Sequence, residues 1–318
     1  MNNKEIYKKT LGFSIRRMLW DVLAFIALIA IAVIGFIIAD KTSGNGIIGL
    51  ALGTLVGGIT VYLILHYFGY ANKAGQIAMM QKGITENKLP DDVIAEGKKE
   101  VKSRFATVVA YYAVTKAIKG IFGQIGSLVT SVGQSVGGDT GGTIGSIISS
   151  VIQTIINYLS DCCLGWVFYR KDESSAKATC EGAAIFFKHG KTLAKNLGRI
   201  FGIGILSFIV IAGIFGGISY LISLNFHDAF ATFCAEIAET SAEAPEWMTN
   251  PNVIMIILSV VIGGIFWSMI HSVFIRPFVL VGVLRNFINS GKDDIPSEAS
   301  FKELDSKSTK FKKLHSEL

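Results

Sequence analysis

Residues 22–39 read VLAFIALIAIAVIGFIIA, eighteen positions without a charged or hydrogen-bonding side chain. A bilayer core about 30 Å thick is crossed by about 20 residues of helix, and a run this apolar suits that core. Lipid offers no partner to backbone N–H and C=O groups, so the segment must satisfy them internally as a helix; no segment shows the alternation of a barrel strand. The run is too long for a signal-peptide core and ends in Phe36-Ile37-Ile38-Ala39-Asp40 without a small-x-small site, so it reads as a retained first span.

Working outward, the segments 46–70, 200–223 and 253–275 join 20–39 as apolar runs of spanning length, and the last reaches 283 when counted through Arg276-Pro277. Two further segments, 105–131 and 145–169, are long enough but more polar. The fold class is therefore all-α, a polytopic membrane helical bundle of six (alternatively four) transmembrane helices with cytoplasmic amphipathic helices. Residues 1–290 are taken as a single membrane domain and 291–318 as a cytoplasmic amphipathic tail. Of the 318 residues 51% are hydrophobic and 17% charged, against about 25% charged in soluble domains.

Orientation follows from basic residues. Lys4, Lys8, Lys9, Arg16 and Arg17 precede the first span; seven more lie in 73–104, seven in 170–199 and eight in 276–313. The connectors 132–145 and 224–252 hold none, and the latter carries Asp228, Glu236, Glu239, Glu243 and Glu246. The positive-inside rule then places both termini in the cytoplasm of a multi-pass protein of the cell membrane. The net charge of +6 serves that orientation and the anionic headgroups beside it. No compact basic module with interleaved aromatics marks a nucleic-acid partner. Cys162, Cys163, Cys180 and Cys234 match no metal or redox spacing and read as packing residues. No HExxH or nucleophile elbow occurs, and the Gly-rich run 138–146 lacks the Gly-Lys-Ser/Thr ending of a phosphate loop. No enzyme activity, cofactor or metal is expected.

Gly49, Gly53 and Gly57 recur every fourth residue and give one helix face three bare patches, suited to close packing within a protomer or in a homo-oligomer. Gly202, Gly213 and Gly217 suggest a similar face. Polar stripes run along the two intermediate segments: Tyr112, Lys116, Lys119, Gly123, Ser127 and Ser131 on one, Ser146, Ser150, Gln153, Asn157 and Asp161 on the other. Intramembrane charges face a partner or a water-filled path. Tyr112, Lys116, Lys119, Gln153, Asn157 and Asp161 are thus candidate pore or solute-path residues, unless the stripes pair with each other or lie at the interface. Lys116 and Asp161 sit about 16 and about 12 Å of helix from the cytoplasmic ends of their segments, so they are expected to pair. His66 and His271, toward the cytoplasmic ends of their spans, are read as packing residues, with a proton relay as the alternative. Trp20, Tyr67, Tyr70 and Trp166 are read as interfacial anchors, and Arg276-Pro277 as a kink or helix break. Residues 174–198, with Phe186, Phe187 and Leu193 among lysines, have the composition of a helix in an anionic membrane surface. The tail, with Leu304, Phe311 and Leu318, suits an interfacial or partner-binding helix.

The stretch Ile155-Ile156-Asn157-Tyr158-Leu159 through Cys162-Cys163, then Val167-Phe168-Tyr169-Arg170 and Cys180-Glu181-Gly182-Ala183-Ala184, resembles the choline transporter-like family. So does the end, Phe274-Ile275-Arg276-Pro277-Phe278-Val279 into Asn289-Ser290-Gly291-Lys292-Asp293-Asp294. The resemblance covers 105–295 as a pattern and implies a multi-helical transporter for an organic cation. That family has a large outer loop after its first span, whereas this chain has only 40–45 there. The leading expectation is a transporter- or channel-like protein for a small solute; the alternative is a non-transporting membrane scaffold with basic interfacial helices.

Overall fold

A computed structural model describes residues 1–134, 141–194, 197–240 and 245–318. Among them every regular element is helical. Four helical stretches, Asn3–Ser43, Gly46–Thr85, Ile200–Glu239 and Pro251–Asp293, are long and apolar enough to cross a membrane. The chain divides into two compact units, Met1–Leu197 with Pro277–Leu318, and Gly198–Arg276.

The first unit is organised on a long antiparallel hairpin of α1 (Asn3–Ser43) and α2 (Gly46–Thr85). Their lengths of 41 and 40 residues are about twice what a bilayer needs, because each apolar span continues without a break into an amphipathic extension. Asn2 starts α1 by accepting from Glu5 N at 2.8 Å. Gly44, at φ +69°, ends it, a left-handed cap that a Cβ would strain. Asn45 then caps α2 at once. In the span portion the large side chains from Leu19 to Ile38 and from Ile47 to Phe68 are largely exposed, as a lipid-facing surface requires. In the extension the reverse holds: Ile6 and Phe13 are buried, as are Ile77, Met79 and Met80. Gln76 Nε2 donates to Ser14 Oγ at 2.9 Å and Thr10 O at 3.3 Å across the hairpin.

After a turn through Leu89-Pro90, Asp92 caps α3 (Val93–Arg104), accepting from Ile94 N and Ala95 N. This helix folds back along α2, with Gly97 against Gly75 O. The chain then turns by 80° into α4 (Val108–Gln134). The remaining helices of the unit are α5 (Gly141–Tyr169), α6 (Ser175–Ala194), α11 (Arg276–Asp293), α12 (Glu298–Asp305) and α13 (Thr309–His315). Ile118, Ile121 and Phe122 of α4, Leu159 and Cys163 of α5, and Cys180 and Ala184 of α6 share one buried cluster with Phe301, Leu304 and Phe311 of the tail.

The second unit pairs α7 (Leu197–Ser223) with α10 (Pro251–Ile270); α8 (His227–Thr240) and the short α9 (Glu246–Thr249) join them. Its close approach uses other glycines than the stripe expected. A Cβ on Gly263 would lie 2.5 Å from Ala212 O, and one on Gly216 3.1 Å from Ser259 O, whereas Gly202, Gly213 and Gly217 have open space beside them. Glycine spacing alone marks several faces of one helix, and the partner's own small residue selects among them. Phe215 stacks on Phe266 at 4.4 Å, and Trp267 Nε1 donates to Ser207 Oγ at 3.1 Å.

The kink expected at Arg276-Pro277 takes another form. A π-helical turn over His271–Ile275 carries α10 into α11, and a wider turn of this kind accommodates a proline that cannot donate. The tail is no free amphipathic element either. Gln124 Oε1 accepts from Ser308 Oγ at 2.7 Å and Lys310 N at 3.0 Å, and Gln124 Nε2 donates to Thr309 Oγ1 at 2.8 Å. Within the tail His315 bridges Asp305 at 2.9 Å and Glu298 at 3.0 Å. Phe186 meets Phe122 edge-on and Phe187 lies under Lys307 Nζ at 3.9 Å. The apolar face read as membrane-seeking is thus covered by protein at these two positions. Leu193 lies outside the described side chains.

Candidate functional site

The anticipated path residues fall into three environments. Tyr112 closes against α2: its hydroxyl donates to His66 O at 2.6 Å and its ring stacks on His66 at 3.5 Å. Tyr70 and Tyr111 approach the same ring at 6.2 and 5.1 Å, and Phe105 meets Tyr111 edge-on at 5.5 Å. These rings fill one another's space; His66 against Tyr112 leaves no gap for an ammonium group between them.

Asp161 is the second environment. Its side chain is 5% exposed and its Oδ1 lies 2.6 Å from Lys73 Nζ of α2. The expected cation was Lys116, which instead lies exposed on α4. The depth argument assumed two antiparallel spans, and α4 leaves α3 at 80° while α2 runs on past its span and brings Lys73 to α5. Lys119 and Gln153 are also exposed, and Asn157 is half-buried. The side chains of Ser127, Ser131, Ser146 and Ser150, and residues 135–140 of the Gly-rich joint, lie outside the described residues.

A double-mutant cycle tests this pair. Lys73→Met takes the ammonium away from the buried carboxylate, Asp161→Asn takes away the carboxylate's charge, and the double change removes both charges. We expect a coupling of about 1–3 kcal/mol in thermal stability, with Lys116→Gln additive to Asp161→Asn. Additive behaviour of Lys73→Met and Asp161→Asn would sink the assignment.

The third environment, at the junction of α5 and α6, was not visible in the sequence. Glu181 is 2% exposed. Its Oε2 accepts from Trp166 Nε1 and Arg170 Nε, each at 2.9 Å, and its Oε1 accepts from Arg170 Nη2 at 3.2 Å. Arg170 also meets Asp172 at 3.0 Å and Glu173 at 3.2 Å. Hydrogen bonding to Glu181 holds the guanidinium pKa above its ordinary value, ahead of an opposing effect of burial. Arg104, from the end of α3, donates to Glu173 O at 2.7 Å and Arg170 O at 2.9 Å. Trp166, expected as an interfacial anchor, is fully buried because its N–H has this carboxylate, while its ring packs against Gly291, where a Cβ would come within 2.5 Å. Burial pushes the neighbouring Cys180 thiol up to about 12, which makes it an inert packing group. The network ties three helices together.

Gly49, Gly53 and Gly57 lie on the α1 contact within the same chain. A Cβ on Gly53 would sit 2.7 Å from Ile31 O and 2.9 Å from Ala32 Cα, and one on Gly57 would sit 2.8 Å from Leu28 Cδ1; one on Gly49 would meet Gly35 O. Among the described residues no group of three or more His, Cys, Asp or Glu side chains could hold a metal ion. Comparison of the chain with protein-family models, with curated proteins and with solved structures gives no match.

Proposed function

We propose that the protein is a non-transporting membrane scaffold, in which apolar helical spans hold a rigid helical module against the inner face of the cell membrane. The observation that carries this reading is the engagement of the anticipated path residues. Asp161 pairs with Lys73 and Tyr112 closes on His66, while Lys116, Lys119 and Gln153 project from the module's surface. The 80° turn before α4 supports placing that helix along the interface, giving four spans, with its lysines at the anionic headgroups. The chain leaves the first unit at Leu197 and rejoins it at Pro277, which suits an even number of crossings and agrees with the basic-residue asymmetry.

The test is flux through purified protein in liposomes. Choline, potassium and chloride fluxes equal to those of protein-free vesicles are expected, together with labelling of Glu236→Cys and Lys98→Cys from opposite faces. Saturable, protein-dependent choline uptake would overturn the reading in favour of the transporter.

A further inference from the structure

We propose that a groove between α2, α3 and the start of α4 binds the headgroup phosphate of an anionic phospholipid of the inner leaflet. The groove has a volume of about 410 Å³ and is lined by Tyr70, Lys98, Val101, Lys102, Phe105 and Thr107, among others. Val101 and Phe105 form a buried apolar floor, while both lysines are exposed.

Its level in the bilayer is set by α2. Exposed large apolar side chains along that helix end at Phe68, and from Asn72 onward the helix is enclosed by the module. Tyr70, on the groove's rim, falls at the changeover, where headgroups lie; this rests on the membrane placement proposed above. Val109, two residues beyond Thr107, is 76% exposed. An isopropyl group so placed is costly in water and favourable beside acyl chains.

Charge decides the class of occupant. Lys98 and Lys102 are four residues apart and share one face of α3. The helix's acidic residues serve the opposite side: Glu96 meets Lys82 at 3.2 Å, and Glu100 meets Lys171 at 2.6 Å. No acidic residue is among the described residues that line the groove. Two ammonium groups over an apolar floor repel an organic cation and match a phosphate whose acyl chains lie in the adjoining membrane. An ordinary solvated lysine pair would lack the enclosed floor and the lipid-level rim.

The full chain in detergent is titrated with dihexanoyl phosphatidylglycerol, dihexanoyl phosphatidylcholine or inorganic phosphate at 0.15 M salt, and thermal stability is followed. Phosphatidylglycerol is expected to raise the midpoint, with phosphatidylcholine and phosphate inactive. Lys98→Gln/Lys102→Gln should weaken phosphatidylglycerol binding about thirtyfold without altering lipid-free stability, since both side chains are exposed. An equal loss in Lys116→Gln/Lys119→Gln would show diffuse attraction and overturn the site. An equal shift with inorganic phosphate would overturn the lipid as occupant. Failure of the flux test leaves this result standing, so the two readings fail separately.

Discussion

Glu181→Ala lowers the thermal midpoint of the helical module by about 6–20 °C. The carboxylate is buried and accepts three hydrogen bonds, from Trp166 Nε1 and from two Arg170 nitrogens. Removing it takes the acceptor from a buried indole N–H and leaves the mostly buried guanidinium only Asp172 and Glu173, which lie nearer the surface. Breaking one side of a buried pair costs about 3–5 kcal/mol, and each kcal/mol moves the midpoint of a domain this size by about 2–4 °C. Cys162, Cys163 and Cys180 are all fully buried, so their reaction with a thiol dye reports opening of this region, with Cys234 replaced by Ala to silence the other unit. Glu181→Gln keeps an acceptor and the side-chain volume, and should fall between wild type and Ala. Equal midpoints for Glu181→Ala and wild type would mean that the network contributes nothing to the module.

Gly53→Leu abolishes the close α1–α2 pairing. The obstacle is backbone, Ile31 O at 2.7 Å and Ala32 Cα at 2.9 Å from the Cβ position, so no rotamer relieves it and the helices must part. Overpacking costs about 1–3 kcal/mol where neighbours can shift and more where they cannot. Lipid supplies little hydrophobic force to restore the contact. Gly58→Leu is the control on the same helix, because nothing lies within 4 Å of its Cβ position. Loss of monodisperse protein in Gly53→Leu with normal yield in Gly58→Leu is expected; equal behaviour of the two variants would remove the glycine face from the argument.

The spans were legible because lipid is a demanding solvent. A run such as 22–39 has no alternative use, and the spacing of Gly49, Gly53 and Gly57 names a face against which α1 brings its own small residues, Ala32 and Gly35. What lay beyond the spans was ambiguous for physical reasons. Phe186 and Phe187 among lysines form the same pattern whether the apolar face meets lipid, another protein or this chain's own tail. A tryptophan near a span end reads as an anchor, and only the distant Glu181 makes Trp166 a core residue. Lys73 was counted as a cytoplasmic charge, because nothing in sequence shows that α2 continues as one rigid rod long enough to carry it to Asp161. The groove at Lys98 and Lys102 required the return of α3 along α2, a tertiary fact without a local signature.

The docking of the tail on α4 has a consequence for how the protein is made. Gln124 and its partner Thr309 are 185 residues apart in sequence. At about 5–20 residues per second, the ribosome delivers the second about 9–37 s after the first. For nearly all of that interval Ile118 and Phe122, joined part-way through by Leu159, wait without Phe301, Leu304 and Phe311 to cover them, while α7 and α10 are still being handed to the membrane. The newborn chain therefore passes through a stage with an uncovered apolar cleft beside the bilayer, and that stage is where a holding chaperone or a quality-control protease has its opportunity.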